Sequence, residues 1–96
     1  MRGDGVMIRC ADLLFNFPRA KFADENNIHA QVAHIQTEAD EAFRELNTNR
    51  RDLAMEIMDC LHSCETALRM LEDEGINISE IMSEVYEKNE ARGYYK

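Results

Sequence analysis

Four carboxylates in this 96-residue chain fall into two pairs with the same spacing. Glu38 and Glu41 stand three apart in TEADE (37–41), and Glu56 and Asp59 stand three apart in MEIMD (55–59). On a helix, residues three apart share a face about one turn from each other. Like charges so placed repel and mildly destabilise the helix that carries them. If the two pairs converge, four negative charges share one partly desolvated space, and their pKa values rise unless a cation joins them. A hard divalent ion is the natural neutraliser. Mg²⁺ takes oxygen ligands and keeps positions open for water and phosphate oxygens, with Mn²⁺ as the alternative. Carboxylates projecting from facing helices are how helix bundles build metal sites.

Such groups need long helices to hold them, and the apolar periodicity supplies two. Ile28, Val32, Ile35, Ala39, Ala42 and Leu46 step by three and four and predict a helix from about Ile28 to Leu46. The break NTNR (47–50) offers Asn47 and Asn49 for a helix end and a new N-cap. A second helix is expected from about Arg51 to Glu74, stopped by Gly75, with a seam at Leu53, Ile57, Cys60, Cys64, Ala67 and Leu71. Ala54, Leu61 and Leu68 add a second apolar stripe that needs its own cover. Asn77 with Glu80 resembles a capping box and starts a third helix near Ile78 that runs to about Arg92 and Gly93.

Residues 6–15 predict a short helix, and NFPRAKFADEN (16–26) predicts a loop, because Pro18 disfavours helical angles at Phe17. Met55, Met58, Met70 and Met82 lie at helical spacing and are expected in the core. No segment alternates as a strand does. The expected fold is all-α, a single domain over residues 1–96. Two long antiparallel helices and a C-terminal helix form a four-helix-type bundle completed by oligomerisation, since so short a chain buries little by itself.

One residue back from each apolar position of the first long helix lie Gln31, His34, Glu38, Glu41 and Glu45. The same step on the second gives Asp52, Glu56, Asp59, Ser63, Thr66 and Met70. Each helix thus carries a polar, largely acidic stripe beside its seam. Such stripes also arise as solvated helix edges with no site at all. Against that reading, the first stripe holds no Lys or Arg to neutralise it locally; Arg44, Arg50, Arg51 and Arg69 can do so only from elsewhere.

The formal net charge of −8 argues against a nucleic-acid backbone or an anionic membrane as the main partner. No apolar run approaches the ~18 residues that span a bilayer. The N-terminal stretch shows no signal-peptide pattern. Three cysteines, Cys10, Cys60 and Cys64, are an odd number and point to free thiols in a reducing, cytoplasmic setting.

The order E-x-x-E, helical break, E-x-x-D resembles the MazG-like branch of the all-α nucleoside-triphosphate pyrophosphohydrolases. Here it reads EADE (38–41), fourteen residues, then EIMD (56–59). The ending VYEKNEARGYYK (85–96) looks like the K-N-x-x-R-G-Y-Y tail of small MazG-like proteins. The resemblance covers roughly residues 29–95. Thr37 stands where family members often carry the first of two glutamates.

The resemblance implies Mg²⁺-dependent hydrolysis of a (d)NTP to the monophosphate and pyrophosphate, a role in nucleotide-pool housecleaning, by a homodimer or homotetramer. It implies Glu38, Glu41, Glu56 and Asp59 as metal ligands, with Glu38 or Glu41 acting on the attacking water. It implies Lys88 and Arg92 on the phosphates and Asn89 on phosphate or metal. Gln31 and His34, on the acidic stripe, can face the nucleotide. Phe15, Phe17 and Phe22 are candidates for the walls of a base pocket. Tyr94 and Tyr95 can stack on a base or make a subunit contact.

Two other classes stay open. One is a helical assembly protein whose stripes are interface edges. The other is a di-iron or di-manganese carboxylate bundle; such bundles use Glu-x-x-His twice, and this chain offers only Asp59-x-x-His62. His62 otherwise reads as a packing or surface histidine.

Overall fold

Asparagine starts each of the three longer helices. The computed structural model describes residues 17–95, with helices α1 (Phe22–Glu25), α2 (Ile28–Arg44), α3 (Arg50–Asp73) and α4 (Ile78–Ala91), and no strand among the described residues. The side chain of Asn27 accepts from the backbone N–H of Ala30, that of Asn49 from Asp52, and that of Asn77 from Glu80. Each bond satisfies one amide that the first helical turn leaves without a partner. Two of the stops are glycines at positive φ, Gly75 at 103° and Gly93 at 80°. After α3, Gly75 N–H bonds Glu72 C=O and Ile76 N–H bonds Leu71 C=O. The paired bonds are a Schellman closure, which needs the left-handed conformation that glycine adopts at no steric penalty.

The helix bounds follow the sequence reading within one or two residues. The described part of the expected loop, residues 17–26, differs: after Pro18 the chain closes one short helical turn, α1, before Asn27. The expected helix at 6–15, together with Cys10 and Phe15, lies outside the described residues, as does Lys96.

Helices α2 and α3 form an antiparallel hairpin. Gln31 meets Ser63, and Glu38 meets Glu56, so position falls on one helix as it rises on the other. Their contact is the most extensive between any two elements of the described chain, and α4 touches little beyond the end of α3. Among the described residues, those buried are Gln31, Ser63, Glu65, Thr66, Ala67, Met70 and Ile78.

That set corrects the packing face. The interface centres on the polar stripe, and parts of the apolar seam turn outward: Val32 is 54% exposed and Ile57 48% exposed. Met55, Met58 and Met82 are likewise exposed, and of the four methionines expected in the core only Met70 is buried. The reason is physical. A two-helix hairpin can cover one face of each helix, and here the covered face is the one on which Gln31 and the small side chains of Ser63, Thr66 and Ala67 allow close approach.

Candidate metal centre

Midway along the hairpin, α2 and α3 bring Glu38, Glu56 and Asp59 together. One carboxylate oxygen from each lies within 4.8 Å of the other two, close enough for a single ion to bind all three. Glu56 and Asp59 reach the spot from adjacent turns of α3, and Glu38 from across the interface. Glu41, the fourth expected ligand, is outside this group. It remains near enough that its charge acts on Glu56.

Glu56 carries the strain of the cluster. Partial burial pushes its carboxyl above the ordinary range, and the charges of Glu41, Asp59, Glu38 and Glu45 push it further. Its Oε2 is buried without a hydrogen-bond partner. A buried carboxylate oxygen left unpaired is costly, and a bound cation removes that cost. The donor set is oxygen throughout, with neither thiolate nor imidazole, which fits a hard ion such as Mg²⁺ or Mn²⁺. Cys60 and Cys64 on α3 are free, and burial, together with its neighbour Cys60, pushes the Cys64 thiol upward, away from the thiolate that binds metals.

His34 qualifies the view that nothing on the first stripe neutralises it. Its Nε2 lies 3.2 Å from Glu38 Oε1, an ion pair whenever the imidazole is protonated. Glu38 is therefore held between a ring on its own helix and the carboxylates of α3.

Beside the cluster opens a pocket of about 270 Å³ that includes Glu38 and Asp59 in its lining. Gln31 and His34 line it too. Gln31 is 1% exposed; its Nε2 donates to the Ser63 carbonyl at 3.0 Å, and its Oε1 is buried without a partner. Ser63, Thr66 and His62 complete the α3 side. His62 was expected to pack or to face solvent. It does pack, stacked on Phe17 with ring centroids 4.4 Å apart, but it also lines the pocket and its Nε2 is buried without a partner. Its imidazole is not part of the carboxylate group.

The remaining wall is Ala20 and Phe22. The segment bearing them is strapped to α3 at two points. Phe17 N–H donates to Glu65 Oε2 at 2.8 Å, and Arg19 bridges Asp24 and Asp73 at 2.9 and 2.8 Å. Phe22 leans on His34, centroids 6.1 Å apart. Of the three candidate wall phenylalanines, Phe22 lines the pocket and Phe17 backs His62. Ser63 and Thr66 were visible in the sequence as stripe residues, yet nothing in their type marked them as a binding surface.

The tail residues are not brought to this pocket. Lys88 borders a separate hollow with Ile81, Glu84 and Val85. The Arg92 guanidinium lies 6.0 Å from the Tyr94 ring centre, and Tyr86 stacks on Tyr95 at 5.1 Å. No helix among the described residues is long and apolar enough to cross a membrane. Comparison of the chain with protein-family models, curated proteins and solved structures finds no match.

Proposed function

We propose that this chain is a Mg²⁺-dependent nucleoside-triphosphate pyrophosphohydrolase of the MazG-like kind, acting as a homodimer or larger assembly. The observation that carries the reading is the convergence of Glu38, Glu56 and Asp59 beside a pocket. The E-x-x-E and E-x-x-D motifs and the KNEARGYY tail support it.

On this reading Glu38, Glu56 and Asp59 hold the ion, with Glu41 at its margin. When bound, the ion withdraws charge from phosphate oxygens and lowers the pKa of a nearby water. The protein's own groups do the rest. Glu41, outside the tight group, has carboxylate oxygens available to orient a water or take its proton. His34 steadies Glu38 at 3.2 Å. The pocket next to the carboxylates receives the part of the ligand remote from the phosphates.

Lys88, Asn89 and Arg92 would then reach the phosphates from a second copy, since their own helix does not line the pocket. Arg92 suits this role because a guanidinium grips two phosphate oxygens at once. The outward-facing Val32, Phe43, Ile57, Leu61, Ile81 and Val85 supply an apolar surface for that copy to cover. Two such chains make a four-helix-type bundle from two hairpins.

The test is a screen of canonical and modified (d)NTPs with Mg²⁺, reading pyrophosphate release. Release of pyrophosphate with monophosphate from at least one of them is expected, and EDTA should abolish it. Absence of turnover on the whole panel, with no stoichiometric Mg²⁺ binding by calorimetry, would leave the helical assembly reading in its place.

A further inference from the structure

The pocket beside the carboxylates is rich in acceptors. The amide of Gln31 cannot be reversed without setting its oxygen against the Ser63 carbonyl, because its Nε2 donates there at 3.0 Å. Oε1 is thereby fixed as an acceptor; it is buried and unpartnered, on a residue that lines the pocket. Thr66, also lining the pocket, donates its hydroxyl proton to the His62 carbonyl at 3.1 Å, which leaves its oxygen lone pairs for other use. Glu38 and Asp59 add carboxylate oxygens at the rim. The imidazole of His62 is adaptable, since its unpartnered Nε2 donates in one neutral tautomer and accepts in the other.

A buried acceptor on a side chain that is 1% exposed asks for a donor from outside the chain. The pocket's volume of about 270 Å³ falls just below the usual range for drug-sized ligands, so it suits a single heterocycle. Aromatic rings help to line it: Phe22, and His62 with Phe17 stacked on it. A flat ring fills such a slot well.

We infer that this pocket selects a heterocycle bearing an exocyclic amino group, with Gln31 as the residue that reads it. An amino group brings two N–H donors, one for Gln31 Oε1 and one for Thr66 Oγ1, and the adjoining ring nitrogen faces His62. An imide edge fits poorly. Its one N–H is flanked by two carbonyl oxygens, which would be set against the acceptors of the pocket. The inference rests on the nucleotide reading for its choice of ring, and it narrows the substrate class to amino-bearing bases.

The test is an NMR titration of the metal-free full chain with four nucleosides. Cytidine is paired with 2-pyrimidinone ribonucleoside and adenosine with purine ribonucleoside, each second member being the first without its amino group. In at least one pair the amino member should bind on the order of tenfold tighter, about 1.4 kcal/mol. Gln31→Met should bring that ratio close to one. Because Gln31→Met also removes the bond to Ser63, Thr66→Val serves as a second variant that leaves Gln31 in place, and it should lower the ratio several-fold. Equal binding within both pairs, a ratio unchanged in both variants, or no binding of any of the four nucleosides would each overturn the inference. The titration needs no turnover. A failed triphosphate screen with a preserved amino preference removes the hydrolase reading alone, and equal binding beside a successful screen removes this inference alone.

Discussion

The inner and outer faces of the α2–α3 hairpin carry opposite chemistry. Inside lie Gln31, Ser63 and Thr66, all buried, with Glu38, Glu56 and Asp59 gathered further along the hairpin. Outside lie Val32, Phe43 at 72% exposure, Ile57 and Leu61. An ordinary small domain is built the other way round, because burying apolar area is what stabilises it. A chain that places polar groups at its own interface and leaves apolar ones outside gains little from folding alone. The contrast teaches a division of labour. On the proposed reading, the inner face is shaped by what a site requires, and the outer face is left to supply the stabilisation that the inner one forgoes.

The sharpest way to break the inner face is at its most strained member. Glu56→Gln should reduce Mg²⁺-dependent pyrophosphate release by at least about a thousandfold, an effect of roughly 4 kcal/mol on the barrier. Unlike most losses of function, this one should come with a more stable metal-free protein. The folded-state pKa of Glu56 is raised, so folding favours its protonated form. The contribution of Glu56 to the stability of the metal-free wild type should therefore be fully present below the ordinary carboxylate pKa and be lost as pH rises through the folded value. In Glu56→Gln that loss should be smaller, and at neutral pH the variant should melt higher. Thermal melts from pH 4 to 8 with EDTA check it. A variant that melts lower than wild type at neutral pH would contradict the repulsion argument.

The outer face is broken by charge. Ile57→Glu places a carboxylate on exposed apolar surface of the hairpin, away from the buried set. If a second copy covers that surface, light scattering should shift from a dimer or larger to about the 11.1 kDa of one chain. Activity should fall with it although Glu38, Glu56 and Asp59 are intact, because the tail's cations then have no site to reach. A variant that stays associated and fully active would show that this surface is bare by design.

The smallest expected effect tests neither face but the frame. Asn49→Ala removes the side-chain acceptor for Asp52 N–H and should cost about 1 kcal/mol in chemical denaturation, with KM unchanged. A large change in KM would mean that the α3 start positions the carboxylates more directly than its distance from them suggests.

The contrast also explains what the sequence could and could not reveal. Helix ends were legible because they are written in local chemistry: Asn49 and Asn77 as caps, Gly75 and Gly93 as stops. The carboxylate pairs were legible because spacing alone sets them on one face. The inward face was not, because two adjacent stripes on a helix have the same period, and only tertiary contact decides which is covered. Periodicity assigned Val32 to the seam, and the hairpin buried Gln31 beside it. The exposed Met55, Met58 and Met82 follow from the same ambiguity. Gln31, His62 and Thr66 became a pocket through pairings thirty or so residues apart in the chain, to which no local pattern points.

The strap formed by Arg19 has a consequence for the ionic medium. Arg19, beside Ala20 and Phe22 in one wall of the pocket, pairs with Asp24 on its own segment and ties that segment to the far end of α3 through an exposed ion pair with Asp73. Exposed pairs are weak, and dissolved salt weakens them further. The wall is therefore fastened by a catch that electrolyte loosens. Even a ligand with no charge of its own then feels the salt concentration, through the door rather than through the lock.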